Sequence, residues 1–206
     1  MRVLVIAPHP DDEVLGCGGT IKKYSNKGSE VYLCIVTRAY TPDWNQEFID
    51  NRKKEIKCAN KILGIKETFF LDLPTVKLDT IGQKKLNDLI SGIIEKVKPE
   101  ALYLPFVKDS NKDHRLVFEA GFFASRQIKK VLSYSYESLL FVPNLYIDIS
   151  DTLEDKLKAM SCYKSELRNY PHPRSLEAIK ISAQKRGIES GLEAAESFII
   201  IREIIK

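Results

Sequence analysis

Four short apolar runs constrain this chain more than any other feature. RVLVIA (2–7), EVYLCIVT (30–37), ETFFLDL (67–73) and ALYLPF (101–106) are rich in β-branched or aromatic residues and nearly continuous, as strands buried on both faces require. Between them the apolar residues switch to helical spacing. Residues 13–27 read as a helix with Gly28 just past its end. Residues 44–63 keep Phe48, Ile49, Ile56, Ala59, Ile62 and Leu63 on one stripe, with Gly64 as the stop. Ile81 to Val97 carry a second amphipathic stripe, closed by Pro99. Strand–helix alternation of this kind builds a mostly parallel sheet through right-handed crossovers, with helices on both faces. The expected class is α/β.

Beyond Ser133 the order changes. VLSYSYES (131–138) and LYIDIS (145–150) read as further strands, and DTLE (151–154) as a capping box that opens a helix reaching about Tyr163. Another helix is expected after Ser175, and ESFIII (196–201) as a late strand. No repeat, low-complexity segment or Pro/Gly/Ser-rich linker divides the chain, so one domain over 1–206 is expected.

Composition narrows the function classes. The 32 basic and 28 acidic residues leave a formal charge of +4 with no basic block, which argues against a nucleic-acid partner. No run approaches the ~20 apolar residues of a membrane span, and the apolar core of MRVLVIA is too short for a signal peptide. A cytoplasmic protein is expected. The four cysteines, Cys17, Cys34, Cys58 and Cys162, form no CxxC pair and are expected as free thiols.

The first strand runs into PHPDDE, which delivers His9, Asp11, Asp12 and Glu13 within five residues. Carboxylates so close repel one another wherever water is excluded, so something positive must hold them. In an open parallel sheet, ligands gather beyond the carboxyl ends of the strands. A second polar group leaves the fourth strand at that same edge: VKDSNKDHR, with Asp109, Asn111, Asp113, His114 and Arg115. His9, Asp12 and His114 then make a two-histidine, one-carboxylate set suited to a divalent metal with an open position for water. Asp11 is free to take a proton from that water, Asp113 to orient a ligand imidazole, and Glu13 to favour the first helical turn. GCGG (16–19) lacks the spacing of a dinucleotide fingerprint and reads better as small residues packing a helix on the sheet. From placement alone, a metal site and an ordinary structural histidine beside a helix-start acid remain equally open, and no reaction is implied.

APHPDDEVLGCGGTI resembles the signature of the LmbE/PIG-L family of metal-dependent N-deacetylases. DSNKDHR resembles its second metal motif, RKKEIKCANKILGI (52–65) its Arg–x–x–Glu helix, and YKSE…HPRS…RG…AESF its C-terminal region. The resemblance implies a Rossmann-like fold and hydrolysis of an N-acetyl group on an N-acetylglucosamine-type amino sugar. It implies one divalent metal, Zn2+ or alternatively Fe2+, on His9, Asp12 and His114, with Asp11 as general base. Arg52 corresponds to a substrate-contacting arginine. Its place on the apolar stripe between Phe48 and Ile56 independently calls for a partner, and Glu55 is one candidate.

Two departures from the family pattern carry consequences. Asn111 stands where many members have histidine; its amide can donate to an oxyanion but supplies no proton, so Asp11 would have to return one to the leaving amine. Arg38 stands where a small residue is common, either at the pocket mouth, favouring an anionic substrate, or in solvent. His172, between two prolines, is a candidate pocket residue or a surface histidine. A phosphoesterase or other metallohydrolase, and a non-catalytic sugar- or nucleotide-binding module, remain alternatives, and a homo-oligomer is left open.

Overall fold

In the computed structural model, which describes residues 1–136 and 138–205, the four runs become β1 (Arg2–Ala7), β2 (Glu30–Arg38), β3 (Glu67–Pro74) and β4 (Ala101–Pro105). The helical stripes become α1 (Asp12–Asn26), α2 (Gln46–Leu63) and α3 (Gln83–Val97), and α4 (Lys112–Ala124) follows β4. The remainder forms β5 (Lys130–Tyr134), β6 (Leu145–Asp148), α5 (Leu153–Cys162), α6 (Leu176–Ser190) and β7 (Ala195–Glu203). Glu137, inside the stretch expected as the fifth strand, lies outside the described residues.

One sheet of order β3-β2-β1-β4-β5-β7-β6 results. Strands β1 to β5 pair in parallel, and β7 runs antiparallel between β5 and β6. The fold is α/β and Rossmann-like, as expected. Successive strands step outward one way from β1 to β3 and the other way from β4, so a crevice opens past the carboxyl ends of β1 and β4.

The alternation of side chains explains why β1 is apolar from Val3 onward. Val3 and Val5 join a core with α1, α2 and α5 residues, while Leu4 and Ile6 join a second core with α3 and α4 residues. All four are essentially inaccessible to solvent, so truncating Leu4 to alanine would cost about 2–5 kcal/mol. The GCGG glycines serve packing. A Cβ on Gly16 would overlap the Tyr134 ring, and one on Gly19 would sit 2.7 Å from Ile149 Cγ2.

Two expectations are corrected. The capping box at 151–154 does not form. Residues 150–152 make a short 3-10 turn instead, and the Thr152 side chain caps nothing. Its hydroxyl donates to the Gly19 carbonyl at 2.9 Å, tying α5 to α1. The thiols are not all free: Cys58 on α2 and Cys162 at the end of α5 form a disulfide, with Cα atoms 5.8 Å apart. The packing of α2 on α5 joins positions 104 residues apart, a proximity no local spacing encodes. Cys17 and Cys34 are free and buried. Among the described residues, no helix is long and apolar enough to cross a membrane.

Candidate active site

The loop between β1 and α1 is held tightly. Thr37 at the end of β2 donates both its backbone N–H (3.0 Å) and its hydroxyl (2.8 Å) to the Pro8 carbonyl. Asp11 follows in a left-handed conformation, φ 105° and ψ −25°, and begins α1 through its backbone carbonyl, leaving its carboxylate unused for capping. Such backbone is costly for a residue with a Cβ and persists where neighbours over-determine it. Here the wholly buried Glu13 does so. Its Oε2 accepts the Asp11 N–H at 3.1 Å and its Oε1 the Tyr163 hydroxyl at 2.6 Å. Glu13 lies in the first turn of α1, as expected, and its side chain also turns inward to brace Asp11. Burial lifts its pKa to about 7 despite the Tyr163 hydrogen bond.

The two polar segments converge. His9 Nδ1 lies 3.2 Å from His114 Nε2, and Asp12 Oδ2 is 3.3 Å from the first and 3.2 Å from the second. The other ring nitrogens are engaged: His9 Nε2 with Asp113 Oδ2 at 3.0 Å, and His114 Nδ1 with Asp109 Oδ2 at 3.1 Å. With the remote nitrogens donating to Asp113 and Asp109, His9 Nδ1 and His114 Nε2 are the atoms that would offer lone pairs to an ion beside Asp12 Oδ2. Such a set gathers positive charge, as a bound ion or as protons on the rings. Ligands ~2.0–2.1 Å from a tetrahedral ion sit about 3.4 Å apart, close to the separations found.

Where no ion is bound, protons supply that charge. Burial would lower the pKa of His9, but hydrogen bonds to Asp113 and Asp12 raise it to about 9. Burial opposes protonation of His114 as well, and the charge of Asp12 with the Asp109 hydrogen bond lifts it to about 10. Burial would raise Asp12, yet His114 and His9 hold it well below the usual carboxylate range. The cluster thus draws positive charge strongly, and it fits a divalent metal. Among the described residues, His9, Asp12 and His114 form the group whose donor atoms gather for an ion.

Asp11 points into a cleft of about 490 Å3 that also receives His9, Arg38, Arg52, Asn111 and Arg174. Its Oδ2 is buried without a hydrogen-bond partner, and Arg174 Nε stands 3.5 Å away. Burial and the charge of Asp12 push the Asp11 pKa well above the usual value, and Arg174 opposes that rise.

The remaining expected residues are placed as follows. Asn111 caps α4, its Oδ1 accepting the Asp113 N–H at 2.9 Å, so its amide nitrogen is what remains for the cleft. Arg38 is exposed at the rim with Asp72 at 3.8 Å. Arg52 packs against the Phe48 and Tyr163 rings. Its hydrogen-bonded partner is Glu166, with Glu55 Oε2 more distant at 3.8 Å. Glu55 instead receives both the N–H and the hydroxyl of Ser165, at 2.9 and 2.6 Å. His172 is exposed and does not line the cleft; its Nδ1 accepts the backbone N–H of Arg174, which does. Asp109 was read as part of the second polar group but without a role, and Glu166 and Arg174 only as members of the YKSE and HPRS segments. No spacing ties those two to the site, because the segment 163–175 folds back from afar.

Comparison with known proteins bears on this geometry. A model of the family PIG-L, GlcNAc-PI de-N-acetylase, matches residues 4–125. The chain is 30% identical over 174 residues to the uncharacterized deacetylase YaiS of Escherichia coli, covering 79% of this chain and 90% of that protein. It is 31% identical over 188 residues to a diacetylchitobiose deacetylase of Thermococcus kodakarensis, covering 80% and 70% respectively. The solved N,N'-diacetylchitobiose deacetylase of Pyrococcus horikoshii superposes with a TM-score of 0.79 at 26% identity, covering 97% of this chain and 83% of that one. The chain belongs to the PIG-L family, that of GlcNAc-PI de-N-acetylase.

Proposed function

We propose that residues 1–206 form one N-deacetylase domain that hydrolyses the acetamide of N-acetylglucosamine-type amino sugars or their conjugates. The observation that carries this reading is the convergence of His9, Asp12 and His114 beside Asp11, whose buried Oδ2 makes no hydrogen bond, within a family whose relatives include diacetylchitobiose and probable N-acetyl-α-D-glucosaminyl L-malate deacetylases. Two imidazoles and a carboxylate suit Zn2+, and Fe2+ is the alternative.

His9, Asp12 and His114 would hold a divalent ion, which would supply Lewis acidity and lower the pKa of a water bound there. Asp11 accepts a proton from the attacking water as it adds to the amide carbon. The Asn111 amide nitrogen donates to the carbonyl oxygen as negative charge gathers there. Asp11 then returns the proton to the nitrogen as the C–N bond breaks, giving acetate and a free amine. Arg52 and Arg174, both held by Glu166, offer donors to sugar hydroxyls, and Arg38 stands at the rim.

Metal content per chain, followed by acetate release from N-acetylated amino sugars, tests the reading. One ion per chain is expected, lost in His9→Ala. Asp11→Asn should keep the ion and lose about 10²–10⁴ in kcat. An Asp11→Asn enzyme of full activity would remove Asp11 as base, and absence of specific metal binding would overturn the mechanism.

A further inference from the structure

Val76, in the loop after β3, is a β-branched residue in the left-handed region, with φ 61°. Left-handed backbone is a genuine outlier for such a side chain and persists only where its surroundings impose it. The surroundings are the ligand shell itself. Asp113 Oδ2 accepts the Val76 N–H at 2.7 Å and also His9 Nε2 at 3.0 Å, while Asp113 Oδ1 accepts the Leu78 N–H at 3.3 Å. Leu78 is fully buried, which anchors the far end of the loop. Yet Val76 gains no burial from this, for it remains 70% exposed and lines the cleft. The fold thus maintains a strained backbone that presents an isopropyl group to the cleft that His9 also lines.

The two walls of the cleft come from opposite faces of the sheet. Arg52, Glu166 and Arg174 belong to α2 and the segment beyond α5, which pack in the core on one face, and Phe48, Ile49 and Ile56 of α2 line the cleft beside them. Leu78 and α4 belong to the core on the other face, so Val76 and Asn111 stand across the cleft from that wall. An N-acyl amino sugar must place its carbonyl at Asp11 and the ligand set. Its hydroxyls find partners at Arg52, Glu166 and Arg174, and the apolar side of its ring meets the α2 residues beside them, which leaves the acyl methyl facing Val76 on the other wall.

We infer that Val76 is a specificity-determining residue that bounds the acyl end of the cleft, admitting acetyl and rejecting longer acyl groups. This rests on the deacetylase reading. The test compares wild type, Val76→Ala and Val76→Gly by kcat/KM on N-acetyl and N-butyryl forms of one glucosamine-type substrate. Alanine removes the two methyls but keeps a Cβ at positive φ; glycine also releases the backbone, and adopts φ 61° freely. The butyryl-to-acetyl ratio should rise about tenfold or more in both variants, as expected of a few methylenes in an apolar pocket. A ratio unchanged in both, with wild type releasing acetate, would overturn the inference and leave the deacetylase reading standing. A rise in Val76→Gly alone would assign the effect to the backbone and likewise overturn it. No turnover by wild type on either substrate would overturn both.

Discussion

Arg174 Nε lies 3.5 Å from Asp11 Oδ2, an oxygen that makes no hydrogen bond. Glu166 holds the same guanidinium through Nη1 at 2.7 Å, and the Tyr136 hydroxyl accepts from Nη2 at 3.3 Å. The proposed base therefore faces a cation fixed by other groups, which offsets the cost of keeping a buried carboxylate charged. The same cation is placed to meet charge that develops near Asp11.

Removing that cation should slow the reaction without emptying the metal site. Arg174→Met is expected to lower kcat by about 10²-fold, the scale of one lost charge-stabilising donor. Arg174→Lys, which keeps the charge but not the planar fork, should fall between. Steady-state kinetics alongside metal content decides it; a Met variant with wild-type kcat would discard the role.

Asp109 and Asp113 should act through the imidazoles they hold. Alanine at either position is expected to weaken metal binding by about 10–100-fold, whereas His114→Ala should remove it almost entirely. Competitive titration with a metal chelator separates the two levels. Unchanged affinity in both aspartate variants would show that packing alone orients the rings.

The buried pair Lys156–Glu196 should be a stability element. Lys156 Nζ donates to Glu196 Oε1 at 2.6 Å and to the Leu15 carbonyl at 2.8 Å, while Glu196 also accepts the N–H groups of Gly19 and Thr20. Lys156→Met leaves a buried carboxylate without its counter-ion and should cost about 3–5 kcal/mol. Adding Glu196→Gln should recover part of that loss. Urea unfolding of the single and double variants measures both, and an additive double variant would contradict the coupling.

Thiol counting should find two populations. Unfolded without reductant, the chain should expose two thiols, and with reductant four, because Cys58 and Cys162 are paired. In the native protein neither free thiol should react near neutral pH. Burial pushes Cys34 up to about 12 and Cys17 well above its usual value, and the thiolate is the reactive form. Cys58→Ser should cost about 2–4 kcal/mol; four reactive thiols without reductant would refute the bond.

What was legible in the chain was whatever repeats or sits together locally. The burial of β1 between two cores makes its apolar run continuous, and the helical stripes encode α2 and α3, because every turn must face the same core. PHPDDE and DSNKDHR could be read as one site because strands β1 and β4 are adjacent and release their loops at the same edge. The chain by itself therefore determined the α/β architecture and brought His9, Asp12 and His114 to one edge of the sheet; the pairing of β1 with β4 made them meet beside Asp11. Only the tertiary structure decided that Glu13 turns inward to Tyr163, that Glu166 rather than Glu55 grips Arg52, and that Arg174 rather than His172 enters the cleft. It alone joined Cys58 to Cys162 and forced Val76 into the left-handed region. These relationships pair groups that are distant in sequence, or set a backbone angle against its local preference. Their energies come from how whole helices and loops dock, which periodicity and short motifs do not record.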